Sequence, residues 1–243
     1  LIKAGAEVRC LVTTSGAALV SPVALASLSR HRCYLEADHW DSASSRPLHI
    51  ELAEWAELAI VAPLSASSLS RWSQGSADGL LASVLLAMEA PVIAAPAMNT
   101  AMWRHPAVQR NWQQIQSFPG VIPLVPASGL LACDRVGDGR MADPLLIELA
   151  AASVFSRGSG TPDVTLDCSG MSVVVSAGPT QESIDPARFL SNRSSGRMGV
   201  LLAQAARFRG ATVHLVHGPL DLPGAWLEGL ECTAVESAAE LGS

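Results

Sequence analysis

Pro91-Val92-Ile93-Ala94-Ala95-Pro96-Ala97-Met98-Asn99 is the stretch that decides the fold class of this chain. Residues 91–95 form a run of strand length, apolar at successive rather than alternate positions, and bounded by proline. Residues 58–62 and 121–125 repeat the pattern between proline or glycine. Between these runs, residues 65–74, 78–89 and 100–117 have helical length and period. Strands apolar on both faces that alternate with helices read as a parallel sheet covered on both sides, with right-handed crossovers. The expectation is an α/β fold with helices on both faces.

Working outward, residues 1–12 read as a helix tail, a glycine turn at Gly5 and a strand, and residues 205–216 repeat that order around Gly210. In the later copy a strand over 171–176 precedes the helix, whereas the first copy has none. A first strand and its loop are therefore expected upstream of Leu1. Residues 156–163 are small and polar, a linker composition. The expected organisation is a first domain over 1–156, a linker over 157–170 and the start of a second α/β domain over 171–243. The last part is too short for a complete doubly wound domain, so the second domain is expected to be cut as well.

Composition narrows the function classes. The chain has 243 residues, 49% hydrophobic and 16% charged, with a net charge of −6. That composition is globular rather than disordered, and the charge argues against nucleic acid or an anionic membrane as partner. No apolar run approaches the ~20 residues of a membrane span. Five cysteines, Cys10, Cys33, Cys133, Cys168 and Cys232, are scattered without a CxxC pair. Neither a disulfide framework nor a metal site is expected, and a reducing, cytoplasmic setting is. Lys3 is the only lysine, so a catalytic lysine would have to be Lys3 or lie outside the chain.

Four places could carry chemistry. Met98 and Asn99 follow a buried strand, where ligand sites of parallel sheets lie; Asn99 equally suits a helix N-cap. Residues 130–141 hold two glycines, several charges and Cys133 near Arg135 and Arg140. This reads as a surface loop, either a lid that delivers an acid or a loop with a tolerated thiol. His49 stands alone at a loop–helix junction, as a structural or a functional imidazole. Gly178 and Thr180 after a strand, with Asn192, Ser194, Ser195 and Gly196 before a helix, suit either a phosphate cradle or a plain βα turn. It is neither GxGxxG nor a Walker loop, because an insertion separates strand from helix. His31, His39, His105, His214 and His217 show no ligand spacing and receive no role; the six tryptophans are expected in the core or at interfaces.

Taken in order, these stretches resemble the bacterial bifunctional phosphopantothenoylcysteine decarboxylase/phosphopantothenate–cysteine ligase family of coenzyme A biosynthesis. The family's Pro-x-Met-Asn-x-x-Met-Trp motif is complete from Pro96 to Trp103. Its Ala-Cys-Gly…Gly-x-Gly-Arg-Met lid is matched by Ala132 to Met141, and its ligase start by Ala177 to Gly199. The resemblance implies a flavodoxin-like Rossmann domain assembled as trimers, with FMN bound near Thr14, Ser65 and Ser67. His49 would act as base or orienting group in the oxidative decarboxylation of 4′-phosphopantothenoylcysteine, an FMN chemistry that makes loss of CO2 easy. Met98 and Asn99 would hold the substrate carboxylate with Arg140 nearby, and Cys133 would protonate the resulting ene-thiolate. In the second domain, CTP and Mg²⁺ would activate 4′-phosphopantothenate for attack by cysteine. Gly178, Thr180, Asn192, Ser194, Ser195 and Gly196 fall on that family's phosphate and intermediate loops.

The chain also departs from the pattern. Ser67 replaces an asparagine, Asp134 stands where glycine is usual, and Pro179 follows Gly178. The flavin loop would precede Leu1, and the ligase lysine and much of the CTP pocket would follow Ser243. The chain as given is thus expected not to ligate and to bind FMN poorly. An NAD dehydrogenase would show GxGxxG and an acidic ribose-binding residue, neither of which is present. A flavin prenyltransferase has no need of the Cys133 lid or the second domain. A non-catalytic regulatory flavoprotein would be free to lose His49, Asn99 and Cys133, all of which this chain keeps.

Overall fold

The structure, a computed structural model, describes residues 1–40, 45–130, 136–156 and 166–242. Gly5, at φ 93°, ends a 3-10 turn over Ile2–Ala4 and turns the chain into β1 (Cys10–Val12). Short helices α1 (Thr14–Ala17) and α2 (Pro22–Ser29) lead to β2 (Cys33–Leu35), parallel to β1 with Cys10 opposite Cys33. A 3-10 turn over Glu36–Trp40 and α3 (Leu48–Trp55) precede β3 (Ala59–Leu64). Helices α4 (Ala66–Ser73) and α5 (Leu80–Ala87) then return the chain to β4 (Val92–Pro96).

The single helix expected over 100–117 is two, α6 (Thr100–Trp103) and α7 (Pro106–Gln116). Pro106 lacks an amide hydrogen and its ring excludes the carbonyl four residues back, so it can only begin a helix. His105 caps that beginning, its Nδ1 accepting the Ala107 N–H at 3.2 Å. Beyond α7 come β5 (Val121–Pro123), the antiparallel pair β6 (Ala127–Leu130) and β7 (Val136–Arg140), and α8 (Pro144–Phe155).

Among the described residues the parallel strands of this part form two blocks, β1–β2 and β3–β4–β5. β4 is buried at every position, and its alternate residues feed two cores. Val92 and Ala94 join Val61, Leu64, Leu69, Trp72, Trp112 and Ile115 on one face. Ile93 and Ala95 join Ile122, Leu124, Ile147 and Ala150 on the other. A sheet covered on both faces is the arrangement expected of successive apolar residues, and each side chain such as Ile93 contributes about 2 kcal/mol by burial. The chain is flavodoxin-like α/β.

The remainder repeats the scheme on a smaller scale. β8 (Ser172–Ala177) is followed by a hairpin of β9 (Gln181–Asp185) and β10 (Arg188–Ser191), then α9 (Arg197–Phe208) and β11 (Thr212–His217). β12 (Glu231–Ala234) and the single turn α10 (Ala238–Leu241) end it, and β12–β11–β8 form a parallel sheet. The insertion expected between strand and helix is thus the β9–β10 hairpin. Phe208 of α9 packs into the Ile93–Ile147 core, joining the two parts. No described helix is long and apolar enough to cross a membrane.

Candidate active site

The strands β1, β3 and β4 each run out into a polar residue that caps the next helix. Thr13 Oγ1 accepts the Gly16 N–H at 3.1 Å, Ser65 Oγ the Ser68 N–H at 3.2 Å, and Asn99 Oδ1 the Ala101 N–H at 2.8 Å. Each satisfies one of the donors that a helix start leaves unpaired. The carboxyl ends of these parallel strands are therefore lined with hydroxyl and amide groups at three helix starts, where ligands of parallel sheets bind. Thr13 and Ser68 line a shallow cleft there with Arg71, Asp78 and Glu36. Thr14, expected at the flavin, is the exposed first residue of α1, and its neighbour Thr13 is the residue that lines the cleft. Ser65 and Ser67 are both exposed. Arg71 went unnoticed in the sequence because nothing in its neighbourhood marks it; only α4 brings it beside Thr13.

Around β4 the chain builds a tight junction. The Ala97 N–H donates to the Leu64 carbonyl at 3.1 Å and the Met98 N–H to the Gly139 carbonyl at 2.9 Å. Gly137 and Gly139 of β7 lie directly over this loop. A Cβ at 137 would come within 2.6 Å of Thr100 Oγ1, and one at 139 within 2.2 Å of the Met98 carbonyl oxygen. Thr100 Oγ1 itself is buried with no hydrogen-bond partner among the described residues. Asp138 fastens the same arm, accepting from Ser128 Oγ at 2.6 Å and from Arg104 Nη2 at 2.9 Å. Those two donors, Ser128 foremost, hold its carboxyl below the usual carboxylate range.

Met98, Asn99 and the β6–β7 arm with Arg140 are thus brought together. Asn99 stands at the end of β4 and acts as the N-cap of α6. Arg140 is exposed and has no ion-pair partner among the described residues. Cys133 and the acid-delivering part of the expected lid lie outside the described residues.

His49 sits on the first turn of α3 and is half-buried. Its Nδ1 lies 3.2 Å from Nε2 of His39, which is buried, and Trp40 stacks on His39 with ring centroids 4.3 Å apart. Trp40 is itself 78% exposed, so of the two places expected for tryptophans it is not in the core. It is placed there because it covers the imidazole pair from outside. Burial, and then His49, push the His39 imidazole below its ordinary range. His39 had no role by spacing, since the contact arises only when the 3-10 turn folds back on α3.

In the second part, Gly178 and Gly196 both take left-handed conformations, φ 80° and 78°, and meet at the foot of α9. A Cβ at 196 would collide with Leu220 at 2.2 Å and approach the Gly178 nitrogen to 3.1 Å. The expected cradle is capped from within. Asn192 Oδ1 accepts the Ser194 N–H at 2.8 Å, Ser194 Oγ the Gly196 N–H at 3.3 Å, and Ser195 Oγ the Arg197 N–H at 3.4 Å. Short hydroxyl side chains satisfy donors that a bound phosphate would otherwise take. Thr180 is anchored through its carbonyl, which accepts from Ser191 Oγ at 2.8 Å. Gly199, the last residue of the Ala177-to-Gly199 match, has a packing role. A Cβ there would lie 2.7 Å from both Ala177 Cβ and the Ser176 carbonyl oxygen, so glycine lets α9 pack directly on β8.

A flavodoxin-like sheet with polar helix starts along its carboxyl edge defines a class of nucleotide- and flavin-binding proteins, and comparison with known proteins narrows it. The model of the Flavoprotein family matches residues 1–149, and that of the DNA/pantothenate metabolism flavoprotein C-terminal domain matches residues 168–243. The chain belongs to the flavoprotein family. It is 41% identical over 242 residues to the coenzyme A biosynthesis bifunctional protein CoaBC of Bacillus subtilis, covering 99% of this chain and 57% of that protein. It is 40% identical over 220 residues to CoaBC of Escherichia coli, covering 90% and 52%. The chain thus spans about half the length of the curated relatives it matches. Among solved structures it is similar to a cysteine-to-serine mutant of PPC decarboxylase complexed with pantothenoylaminoethenethiol, at 33% identity and a TM-score of 0.57, covering 65% of this chain and 87% of that one. It is similar to the FMN binding protein AtHal3 at 32% identity and a TM-score of 0.58, covering 65% and 86%.

Proposed function

We propose that the first domain, 1–156, decarboxylates 4′-phosphopantothenoylcysteine with FMN in coenzyme A biosynthesis. In the same reading the second, 171–243, begins a CTP- and Mg²⁺-dependent phosphopantothenate–cysteine ligase. The observation that carries it is the junction of Met98 with Gly139, which fixes the Pro96-to-Trp103 motif under the arm whose sequence includes Cys133. The similarity to CoaBC and to a PPC decarboxylase supports it.

The donor set of the cleft fits FMN in part. The hydroxyls of Thr13 and Ser68 with the Arg71 guanidinium suit a phosphate, whereas Glu36 and Asp78, the latter 3.7 Å from Arg71, line the same cleft and oppose one. When bound, the flavin supplies the electron sink that makes loss of CO2 easy. The chain's own residues position and move protons. His49 takes a proton from the substrate, and the Met98–Asn99 loop holds the carboxylate with Arg140 close by. Cys133 returns a proton to the ene-thiolate carbon. Gly178, Thr180, Asn192, Ser194, Ser195 and Gly196 receive the nucleotide and acyl-cytidylate once their internal caps swing aside. The protein works in the cytoplasm as a homo-oligomer built on trimers.

Anaerobic incubation of the full-length protein with FMN and 4′-phosphopantothenoylcysteine, followed by mass, tests this reading. The expected product is the saturated thiol short of one CO2, with an oxidised, unsaturated product accumulating in Cys133→Ser. An unchanged substrate mass with FMN bound would overturn it, leaving a flavoprotein that binds without this chemistry.

A further inference from the structure

We propose that His39 is a positioning residue for His49. In this arrangement Nε2 of His39 accepts the Nδ1–H of His49 and leaves the Nε2 lone pair of His49 free to take a proton. The inference rests on the reading of His49 as the proton acceptor of the first domain.

The geometry sets the choice. His49 Nδ1 and His39 Nε2 are 3.2 Å apart, so one ring donates and the other accepts. Were His39 the donor, both nitrogens of a neutral His49 would be committed: Nδ1 as acceptor and Nε2 as N–H. A proton could then reach His49 only by breaking the contact. With His39 as acceptor the same hydrogen bond survives when His49 becomes an imidazolium, and strengthens because its donor is then charged. The proton moves from substrate carbon or heteroatom to His49 Nε2, and nothing else changes hands.

His39 is suited to remain a neutral acceptor. It is 6% exposed, Trp40 stacks on it at 4.3 Å, and its ring meets that of His49 edge-on at 86°. Burial disfavours its cation, and a neighbouring His49 cation disfavours it further. The charged groups on the elements packed around it are largely engaged elsewhere. In its own turn, Glu36 accepts from the Leu80 N–H at the start of α5, and Asp38 pairs with Arg32 at 2.7 Å. On α3, Glu51 lies 3.8 Å from Arg9 and Glu54 pairs with Arg46 at 2.8 Å. β2 contributes Cys33 and Tyr34, and α5 has no titratable side chain. Of these, Glu36 alone acts noticeably on His39, and it opposes the effect of burial.

Long-range proton–nitrogen correlation spectra of the full-length protein with nitrogen-labelled histidine report the tautomer directly, without flavin or substrate. The expected result is a neutral His49 with its proton on Nδ1. His39→Leu should abolish the Nδ1–H preference. His39→Gln, whose side-chain carbonyl can accept the same N–H, should restore it. For decarboxylation, His39→Leu should lower kcat about tenfold with little change in KM, the scale on which partners fix a functional imidazole, and His39→Gln should recover most of it. A wild-type His49 carrying its proton on Nε2, or a tautomer unchanged in His39→Leu, would overturn the proposal. Undiminished decarboxylation in His49→Ala would instead overturn the role of His49, while the tautomer still decides the hydrogen bond.

Discussion

The Met98 N–H donates to the Gly139 carbonyl at 2.9 Å, and Gly139 is where it is because no side chain fits against the Met98 carbonyl. Gly139 has φ 126° besides, a conformation that L side chains avoid. Gly139→Ala therefore combines a steric clash with backbone strain, and should cost about 2–4 kcal/mol and abolish decarboxylation. Gly75→Ala is the control. It also sits at positive φ, 70°, but has no atom within 4 Å of its Cβ, so it should cost only about 1 kcal/mol and leave turnover intact. Denaturant midpoints and turnover of the two variants, measured side by side, check this. Equal losses would mean that strain alone matters and that the β7 contact contributes nothing.

Asp138 ties the same arm to α6 from its exposed side, through Ser128 and Arg104. Asp138→Ala should leave the fold intact yet speed hydrogen exchange at the Met98 amide, whose acceptor is the next residue along β7. The depressed carboxyl also sets a pH window. The tether is present above the ordinary carboxylate range and is lost as pH falls through the lower, folded value. Wild-type exchange at Met98 should accordingly rise only under acid conditions, and in the variant it should be fast and flat across the same range. Protection that ignores both the substitution and acid would show the arm to be held by the glycine contacts alone.

How far these features were legible differs by their origin. The runs at 58–62, 91–95 and 121–125 were readable because double-sided burial demands unbroken apolar residues, and β4 is buried throughout. The break at Arg104–His105 was also written in Pro106, but the apolar period over 100–117 masked it. β9 and β10 could not be read as strands. Both are largely exposed, and their pairing is set by the turn at Asp185, which accepts from the Ala187 and Arg188 N–H groups. The place of Met98 and Asn99 just beyond β4 was legible, because the apolar run ends at Pro96 and a helix begins at Thr100. His39 and Arg71 were not, because each acquires its neighbour only through folding, across ten residues to His49 and from α4 to the end of β1. The Gly178–Gly196 loop was legible as residues but not as a cap network, since hydroxyls that invite phosphate satisfy the same amides in its absence.

The depressed His39 imidazole makes stability depend on pH near neutrality. In the unfolded chain it titrates near 6.5; in the folded protein its value lies lower. The contribution is therefore fully present above pH 6.5 and is lost as pH falls through the folded value, where the unfolded chain binds a proton that the native state resists. Denaturant midpoints between neutral and mildly acid pH should fall in the wild-type protein and fall less in His39→Leu. Parallel curves would place the pH dependence elsewhere.

Gln204 is the fully buried polar side chain on which the second part depends. Its Nε2 donates to the Trp226 carbonyl at 2.8 Å and to the Glu228 carbonyl at 3.0 Å, and its Oε1 accepts from Arg207 Nε at 2.9 Å. One amide thus pins the segment after β11 to α9 and partners a guanidinium whose own pKa burial lowers. Gln204→Leu has nearly the right volume but strands two carbonyls and a cation in an apolar setting. Buried groups left without partners carry most of their desolvation cost, so the loss should be about 3 kcal/mol. Gln204→Glu keeps the contact to Arg207 but trades a donor for an acceptor opposite the two carbonyls. It should fall between the wild type and leucine. Calorimetry that resolves the unfolding of the second part would rank the three, and a leucine variant as stable as wild type would show that α9 is held by its apolar face of Val200, Ala203 and Phe208 instead.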